Sequence, residues 1–290
     1  MISFEPKELT IAKLHGYLVS AIAPRPIAFA STVDAEGNQN LSPFSFFNVF
    51  SANPPILVFS PARRVRDNSV KHTLLNVEAT KEVVINVVNY DIVYQMSLSS
   101  TEYAKGVNEF DKAGLTMLES DLVKPCRVGE APVQFECKVN DIIKLGDQGG
   151  AGNLVICEVV KIHLAKEILN EDNTINQERL DVVARAGGNY YSRVKTGFFE
   201  IPKPLSTLGI GVDSLPEEVR NSMILTGNDL GMLGNVEVLP SAEDVKAFVE
   251  DRGERYPSIK NVNTLREKHK LAHKFLSYGD VDSAWKVLLS

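Results

Sequence analysis

The chain has 290 residues, of which 44% are hydrophobic and 23% are charged, as is typical of a folded globular protein with room for one large domain or two small ones. Its formal net charge of −6 argues against a nucleic-acid-binding protein, because such a protein needs a basic surface to neutralise phosphates. The three cysteines show no CxxC spacing, and the sequence contains no charged leader and no apolar window of about 18 residues. We therefore predict a cytoplasmic protein with no nucleic-acid and no membrane partner.

Two predicted strands follow a short predicted helix at Leu9–Tyr17. The first, Pro24–Val33, is an apolar run closed by a turn at Asp34–Asn38, where Gly37 can adopt the positive φ that such a turn often needs. The second, Asn40–Phe50, interleaves four phenylalanines with serine and asparagine side chains. That mixture suits a flat heteroaromatic ligand with polar edges, although phenylalanines in a strand are far more often core residues.

A cluster of cationic and polar side chains follows the next apolar strand, Ile56–Ser60. Its members are Arg63, Arg64, Arg66, Asn68, Ser69, Lys71 and Thr73. Such a cluster suits a phosphate group, or else forms a solvated charged face. Apolar spacing predicts a helix over Ser69–Val77 with Ser69 as its N-cap. Free N–H groups and the positive end of the helix dipole would then support phosphate binding beside Lys71 and Thr73.

A strand at Glu82–Val88 and a short helix at Asp91–Ser99 are predicted to be scaffold. Two further strands are predicted at Val133–Leu145 and Leu154–Leu164. Residues 147–153 are rich in glycine and are predicted to form an ordinary hairpin turn, with a mobile flap near the ligand as the alternative. His15 and His163 have no second ligand at metal spacing, so we predict no metal site.

Several stretches of the chain resemble the flavin reductase-like family, whose members are FMN-binding split β-barrels. The resemblance begins with PRPIAFAST, NLSPFSFFN, a strand that follows two prolines, and KHT at 71–73. It continues in EVVINVVN, EFDKAGL, APVQFECK, GNLVICEVVKIH and RAGGNYY, and it covers about Ile22–Tyr191. The family usually has KDT where this chain has KHT, so His72 is a departure from the pattern. The resemblance implies a mainly β fold, an antiparallel, Greek-key-like split barrel with short helices.

The resemblance also implies a function. It implies a homodimer that binds FMN and transfers hydride from NADH or NADPH to the bound flavin and on to a small acceptor, such as free flavin, a ferric complex or a partner monooxygenase. One alternative is a flavoredoxin-like electron carrier with tightly bound FMN. The other is a non-catalytic flavin-binding dimer.

The residues expected at the site follow from these stretches. No catalytic side chain is expected, because the redox chemistry belongs to FMN. We expect Phe29 and Phe46 to flank the flavin ring, and the hydroxyl and amide groups of the two strands to meet its pyrimidine edge. The full set of expected cofactor-binding residues is Phe29, Ser31, Thr32, Ser45, Phe46, Phe47, Asn48, Arg64, Lys71, His72 and Thr73. Arg185 and Tyr190 are expected to bind the electron donor.

The composition changes from Phe198 onward. Prolines and glycines between residues 202 and 211 indicate a linker, and helical spacing follows in Leu215–Leu225, Ser241–Asp251, Thr264–Leu276 and Val281–Leu289. Ser241 with Asp244 has the pattern of a capping box. We therefore predict two domains: a flavin reductase-like barrel at 1–197, and a helical extension at 198–290 that packs on the barrel or on the partner subunit.

Overall fold

The computed structural model describes residues 1–201, 208–255, 262 and 264–290. The chain divides into two compact units, Met1–Phe199 and Glu200–Ser290. Each unit has its own apolar core.

The first unit is built on one large antiparallel sheet, all of it within described residues. The strands are β1 (Ala28–Val33), β2 (Gln39–Phe44), β3 (Phe47–Ala52), β4 (Pro55–Phe59), β5 (Glu82–Val87), β6 (Met117–Leu118), β7 (Arg127–Val128), β8 (Val133–Lys144), β9 (Asn153–Leu164), β10 (Val183–Arg185) and β11 (Tyr191–Arg193). The large sheet has the order β2-β1-β5-β8-β9-β4-β3, while β6 pairs with β7 and β10 with β11. The predicted mainly β, antiparallel fold is confirmed.

The prediction of one strand at Asn40–Phe50 is wrong. The segment forms two strands, β2 and β3, which lie at opposite edges of the sheet and are joined by Ser45 and Phe46. Both pieces are extended, so the alternation of side chains in the sequence could not reveal that they pair with different neighbours, β1 and β4. Pro43 is compatible with β2 because an edge strand can lack one N–H donor.

Strand β1 is buried along its whole length because both of its faces are covered. Ala28 and Ala30 point into a core that also holds Phe59, whereas Phe29 points into a second core with Met96 and Phe110. The turn after β1 is as predicted: Gly37 has φ +93°, and the Asp34 carboxylate accepts hydrogen bonds from the following backbone. β1 therefore separates the two cores.

The helices of the first unit are short and sit against these cores. They are α1 (Ile11–Ala21), α2 (His72–Thr80), α3 (Val93–Leu98), α4 (Glu109–Ala113) and α5 (Gln177–Leu180). The predicted start of α2 at Ser69 is wrong, because Lys71 is its N-cap. Ser69 instead donates its backbone N–H and its hydroxyl to the Asp67 carboxylate, and its hydroxyl oxygen accepts from the Arg64 guanidinium and not from a backbone N–H of the helix.

The turn between β8 and β9 is attached to the cationic segment. Arg63 N–H donates to the Ala151 carbonyl at 2.8 Å, and Gly150 N–H donates back to the Arg63 carbonyl at 2.9 Å. A Cβ atom on Gly149 would lie 2.9 Å from the Arg64 carbonyl oxygen and from the Val65 Cα. The glycine therefore permits a close backbone approach that no other residue allows without a shift.

The second unit is helical in its described residues. Its helices are α6 (Glu217–Arg220), α7 (Gly227–Gly234), α8 (Ala242–Arg255), α9 (Leu265–Leu276) and α10 (Val281–Leu289). The predicted helix Leu215–Leu225 is mostly wrong, since only Glu217–Arg220 is helical there, and α7 was missed because glycines occupy three of its eight positions. The predicted capping box of Ser241 and Asp244 is confirmed. None of the described helices is both long and apolar enough to cross a membrane.

Candidate cofactor-binding site

A small cavity lies where the chain leaves β2. It has a volume of about 160 Å³ and is lined by Ile27, Pro43, Phe44, Ser45, Met96, Ser97, Ser100, Arg185 and Tyr191. β2 supplies its aromatic wall, and Ser97 of α3 and Ser100 just after that helix supply hydroxyl groups. The facing ends of β10 and β11 supply a cation, Arg185, beside the ring of Tyr191. No carboxylate, histidine or thiol belongs to this lining, as far as the described chain shows it, so the cavity offers hydrogen bonds and a positive charge but no group that titrates near neutral pH.

The ammonium group of Lys71 contacts the end of β2 that leads to the cavity. Its Nζ is 3.3 Å from Ser42 Oγ and 4.9 Å from the centre of the Phe44 ring. Burial lowers the pKa of Lys71, and the nearby positive charge of Arg64 lowers it further. Among the described residues, no carboxylate forms an ion pair with this ammonium group. A partly buried cation without a counter-ion is a favourable place for an anionic ligand.

Arg64 stands next to Lys71 and is held by several partners. Its guanidinium donates to Ser69 Oγ at 2.9 Å, to the Val70 carbonyl at 3.0 Å and to the Glu102 carboxylate at 3.0 Å. Arg63 points elsewhere, because its guanidinium is bound to the side chain and carbonyl of Asn68. Of the predicted cationic cluster, Arg64 therefore lies near Lys71, contacts Ser69 and shares the Glu102 carboxylate with Arg66.

The three residues 71–73 do not share one environment. His72 lines a separate groove of about 290 Å³, which also includes Asn76 and Lys105. Thr73 is buried, and its hydroxyl donates its one proton to Asn40 Oδ1 at 2.9 Å. Of the three, only Lys71 contacts Ser42 and Phe44, at the end of β2 that leads to the cavity. The hydroxyl proton of Thr73 is used by Asn40, so the backbone N–H of Thr73 is the donor of that residue left for an anion.

A buried polar network that sequence reasoning missed supports this arrangement. Glu109 is buried and accepts hydrogen bonds from Leu41 N–H at 3.0 Å and from Asn40 Nδ2 at 2.9 Å. Burial raises the pKa of Glu109. Through Asn40, the carboxylate fixes Thr73 and hence the first turn of α2. The stretch EFDKAGL pointed to this region but gave no reason to assign its glutamate to the site.

Three predicted residues of β1 lie in the interior. Phe29 has no exposed surface and belongs to the core beside α3 and α4. The Ser31 hydroxyl donates to the Cys126 carbonyl, and Thr32 Oγ1 accepts from Asn76 Nδ2 at 3.1 Å. This placement does not support side-chain contacts between these residues and a ligand.

The predicted residues at the join between β2 and β3 are divided. Ser45 lines the cavity and lies 3.5 Å from Arg25 Nε. Phe46 is 40% exposed and its ring is 6.1 Å from that of His15, whereas Phe47 packs against the core that holds Phe59. Asn48 is exposed and bonds to the next backbone N–H. Ser45 is therefore the member of this group that the structure places in the cavity.

Of the two predicted donor-binding residues, Arg185 lines the cavity and Tyr190 does not. The Arg185 guanidinium stacks 4.6 Å from the ring of Tyr191, which takes the position expected for Tyr190. Tyr190 is 78% exposed. Arg25, which the sequence did not single out, fixes this region because its backbone pairs with that of Arg185.

The side chain of Arg25 acts as a clamp. It donates to the carbonyls of Val19 and Ile22 at the end of α1, and to Ala186 at 3.2 Å. Burial and the neighbouring charge of Arg185 lower the pKa of Arg25. The clamp holds α1 and the segment after β10 at one side of the cavity.

His163, which has no second ligand at metal spacing in the sequence, has two acidic neighbours in the structure. Its Nε2 is 2.7 Å from Glu136 Oε1, and Asp121 lies beside them. The Glu136 oxygens already accept the backbone N–H groups of Asp121 and Leu122, at 2.9 and 2.6 Å, and Asp121 pairs with Lys161. These contacts satisfy the carboxylates as a structural cluster.

Comparison with known proteins agrees with this architecture. A family model described as "Flavin reductase like domain" matches residues 20–183. An uncharacterized protein of Aquifex aeolicus is 37% identical over 190 residues, which cover 66% of this chain and 94% of the relative. A second uncharacterized protein, from Halalkalibacterium halodurans, is 34% identical over 194 residues, covering 66% of this chain and 92% of the relative.

Solved structures show the same relationship. Nitrilotriacetate monooxygenase component B from Bacillus cereus is 30% identical, with a TM-score of 0.65, over 69% of this chain and 98% of that chain. A putative flavin reductase with a split barrel domain from Shewanella frigidimarina is 25% identical, with a TM-score of 0.59, over 70% of this chain and all of that chain. The chain therefore belongs to the flavin reductase-like family.

Proposed function

We propose that this protein is an FMN-dependent oxidoreductase that takes hydride from NADH or NADPH and passes the electrons to a small acceptor or a partner protein. One observation supports this most strongly: the ammonium group of Lys71 lies 4.9 Å from the ring of Phe44, a residue that lines the cavity. The positive charge of Arg64 acts on this ammonium group, and no carboxylate forms an ion pair with it among the described residues.

The donor set fits the phosphate of FMN. A phosphate carries about −1.5 to −2 charges at neutral pH and accepts several hydrogen bonds. Lys71 and Arg64 supply cationic donors, and the first turn of α2 supplies backbone N–H groups. The compact set suits a single terminal phosphate, which is why we propose FMN in preference to FAD. Equal affinities for FMN and riboflavin would contradict this assignment.

The remaining cavity residues would bind and orient the rest of the cofactor. Ser45, Ser97 and Ser100 offer hydroxyl groups to polar edges, and Phe44 offers an apolar wall. FMN, when bound, supplies the hydride chemistry. Because the described cavity lining contains no side chain that titrates near neutral pH, the protein would act through fixed donors and not through a general acid or base.

The size of the cavity supports a homodimer. Ligand pockets commonly have volumes of roughly 300–1,000 Å³, so 160 Å³ in one chain is small for a flavin. The edge strand β3 begins next to Ser45 and exposes Val49 and Phe50, at 62% and 68%. A second copy seated on this strand would cover its apolar side chains and could complete the pocket.

The electron donor would approach from the side of Arg185. Its guanidinium is positive and stacked, which suits the negatively charged dinucleotide. The relationship to component B of a nitrilotriacetate monooxygenase supports a partner monooxygenase as one class of acceptor, beside free flavin and ferric complexes.

Anaerobic stopped-flow mixing tests the proposal. The purified protein with FMN is mixed with NADH or with NADPH, and the flavin absorbance is followed. Rapid bleaching by either nucleotide is the expected result. Slow bleaching by both, together with rapid reduction by a protein donor, would instead identify an electron carrier. Absence of flavin binding would refute the proposal.

A further inference from the structure

The carboxylate of Glu102 lies among the positively charged side chains of Arg64 and Arg66, which belong to the proposed phosphate site. Its carboxylate is 3.0 Å from Arg64 Nε and also binds the guanidinium of Arg66. Hydrogen bonds from Arg66 and Arg64 hold the pKa of Glu102 below its usual value, so it is ionised at neutral pH. The charge of Glu102 also acts on Lys71, whose pKa it raises against the opposing effects of burial and Arg64. A carboxylate thus stands among the groups assigned to the phosphate.

The segment that carries Glu102 has few other attachments. The backbone hydrogen bonds of residues 100–107, as far as the described chain shows them, stay within residues 97–107. Tyr103 adds a ring contact, 5.8 Å from the ammonium group of Lys112. The Glu102 side chain is 44% exposed, so it can leave the arginines for water at small cost. Its two ion pairs are therefore the tether between this segment and the cationic cluster.

The local charges favour exchange of this carboxylate for a phosphate. Arg64, Arg66 and Lys71 are positive, while Asp67 and Glu102 are negative, and the buried Glu109 also acts on Lys71. Asp67 stays ionised and paired with Arg66, since hydrogen bonds from Ser69 and that arginine lower its pKa to about 2. With Glu102 displaced, one negative charge leaves the arginines, which favours a phosphate anion in its place.

We propose that Glu102 is an internal anion that occupies the phosphate end of the site until the phosphate of a bound flavin displaces it. Glu102 thereby lowers the affinity for ligands that carry a phosphate. It reduces the preference for FMN over riboflavin, because riboflavin has no phosphate to compete with the carboxylate. The proposal rests on the proposed function for its ligand, and it assigns Glu102 a role in ligand affinity that differs from a structural ion pair.

The test compares the protein with Glu102→Gln by titrating FMN and riboflavin and following flavin fluorescence. We expect FMN to bind Glu102→Gln about three- to tenfold more tightly than wild type, the range that two partly exposed ion pairs supply. Riboflavin affinity should change by less than about twofold, because that ligand has no phosphate to compete. Glu171→Gln is the matched control, since it removes the same charge from an exposed loop, and it should change neither affinity.

Opposite outcomes overturn the proposal. Weaker FMN binding in Glu102→Gln would show that the carboxylate organises Arg64 for the phosphate, and equal tightening for both flavins would show an effect that does not involve the phosphate. Unchanged affinities would also refute it. Inorganic pyrophosphate, titrated by calorimetry, separates this proposal from the flavin assignment. If wild type binds pyrophosphate but not FMN and Glu102→Gln tightens pyrophosphate, the role of Glu102 stands and the flavin assignment falls. If neither ligand binds, both fall.

Discussion

Replacing Lys71 with methionine should separate ligand binding from stability. Methionine keeps an unbranched apolar stem against Phe44 and removes only the ammonium group. One charge-assisted hydrogen bond to phosphate contributes about 1.5–3 kcal/mol, so the FMN dissociation constant should rise about 10- to 100-fold. Riboflavin affinity should be nearly unchanged, because riboflavin has no phosphate.

In contrast to its FMN affinity, the stability of the flavin-free protein should not fall when Lys71 is replaced by methionine. Burial lowers the pKa of Lys71 below that of an unfolded lysine, so the folded chain holds this proton less tightly than the unfolded chain. Stability therefore rises with pH between the lowered pKa and about 10.5, and at neutral pH the charge carries its full cost. The melting temperature of Lys71→Met without flavin should equal or exceed that of wild type.

Flavin fluorescence titration and thermal unfolding in the absence of flavin measure the two effects. Lys166→Met, which removes an exposed lysine charge, is the control and should leave both quantities unchanged. As pH rises through the lowered pKa of Lys71, the FMN affinities of wild type and Lys71→Met should converge. An unchanged dissociation constant in the variant would remove Lys71 from the site. A large fall in melting temperature would refute the view that its charge is a cost to the flavin-free protein.

Three further predictions concern the pH dependence, the assembly and the extension. The anaerobic rate of flavin reduction should be nearly constant between about pH 6 and 8, where a histidine titrates, and His72→Asn should give the same profile; a titration that disappears in the variant would make His72 a functional group. Light scattering at micromolar concentration should give a homodimer, and Phe50→Glu should give a monomer; a monomeric wild type would contradict the proposed assembly. A chain of residues 1–199 that stays folded should have an FMN dissociation constant within about threefold of that of the full chain. Loss of even one charge-assisted hydrogen bond to the ligand would raise the dissociation constant by more than that. A folded fragment that binds no FMN would show that the site is misplaced.

The sequence allowed most strands to be predicted, because alternation and apolar runs are local properties. It could not predict that Asn40–Phe50 divides between two sheet edges, since pairing partners are set by distant segments. For the same reason Phe29 and Thr32 were assigned to a ligand: an apolar strand covered on both faces looks the same in sequence as a strand with one open face. Clustered charge did indicate that Arg64 and Lys71, seven positions apart in the sequence, lie close enough to interact.

The residues that were missed reach the site from far away. Glu102 meets Arg64 across 38 positions, Glu109 meets Asn40 across 69, and Arg25 meets Ala186 across 161. Their partners depend on how the strands and helices assemble, and no periodicity within one segment encodes that assembly. The family resemblance did include the stretches around Arg25 and Glu109, but a shared motif does not state what a side chain contacts.

Ser45 lines the cavity and also joins two strands that lie at opposite edges of the sheet, so the cavity depends on how the sheet assembles. Ser45 and Phe46 join the two edge strands, and the Phe46 carbonyl accepts the Ser60 N–H at 2.8 Å just beyond β4. The chain on one side of Ser45 pairs with β1 and the chain on its other side pairs with β4, so both pairings restrict where Ser45 can lie. A ligand that binds only the folded state, as we propose for FMN, would add about 2.7 kcal/mol to the free energy of unfolding at 100 times its dissociation constant. Recovery of flavin binding during refolding should accordingly lag behind the recovery of secondary structure, so that the cofactor would serve as a kinetic marker of the last step in sheet assembly.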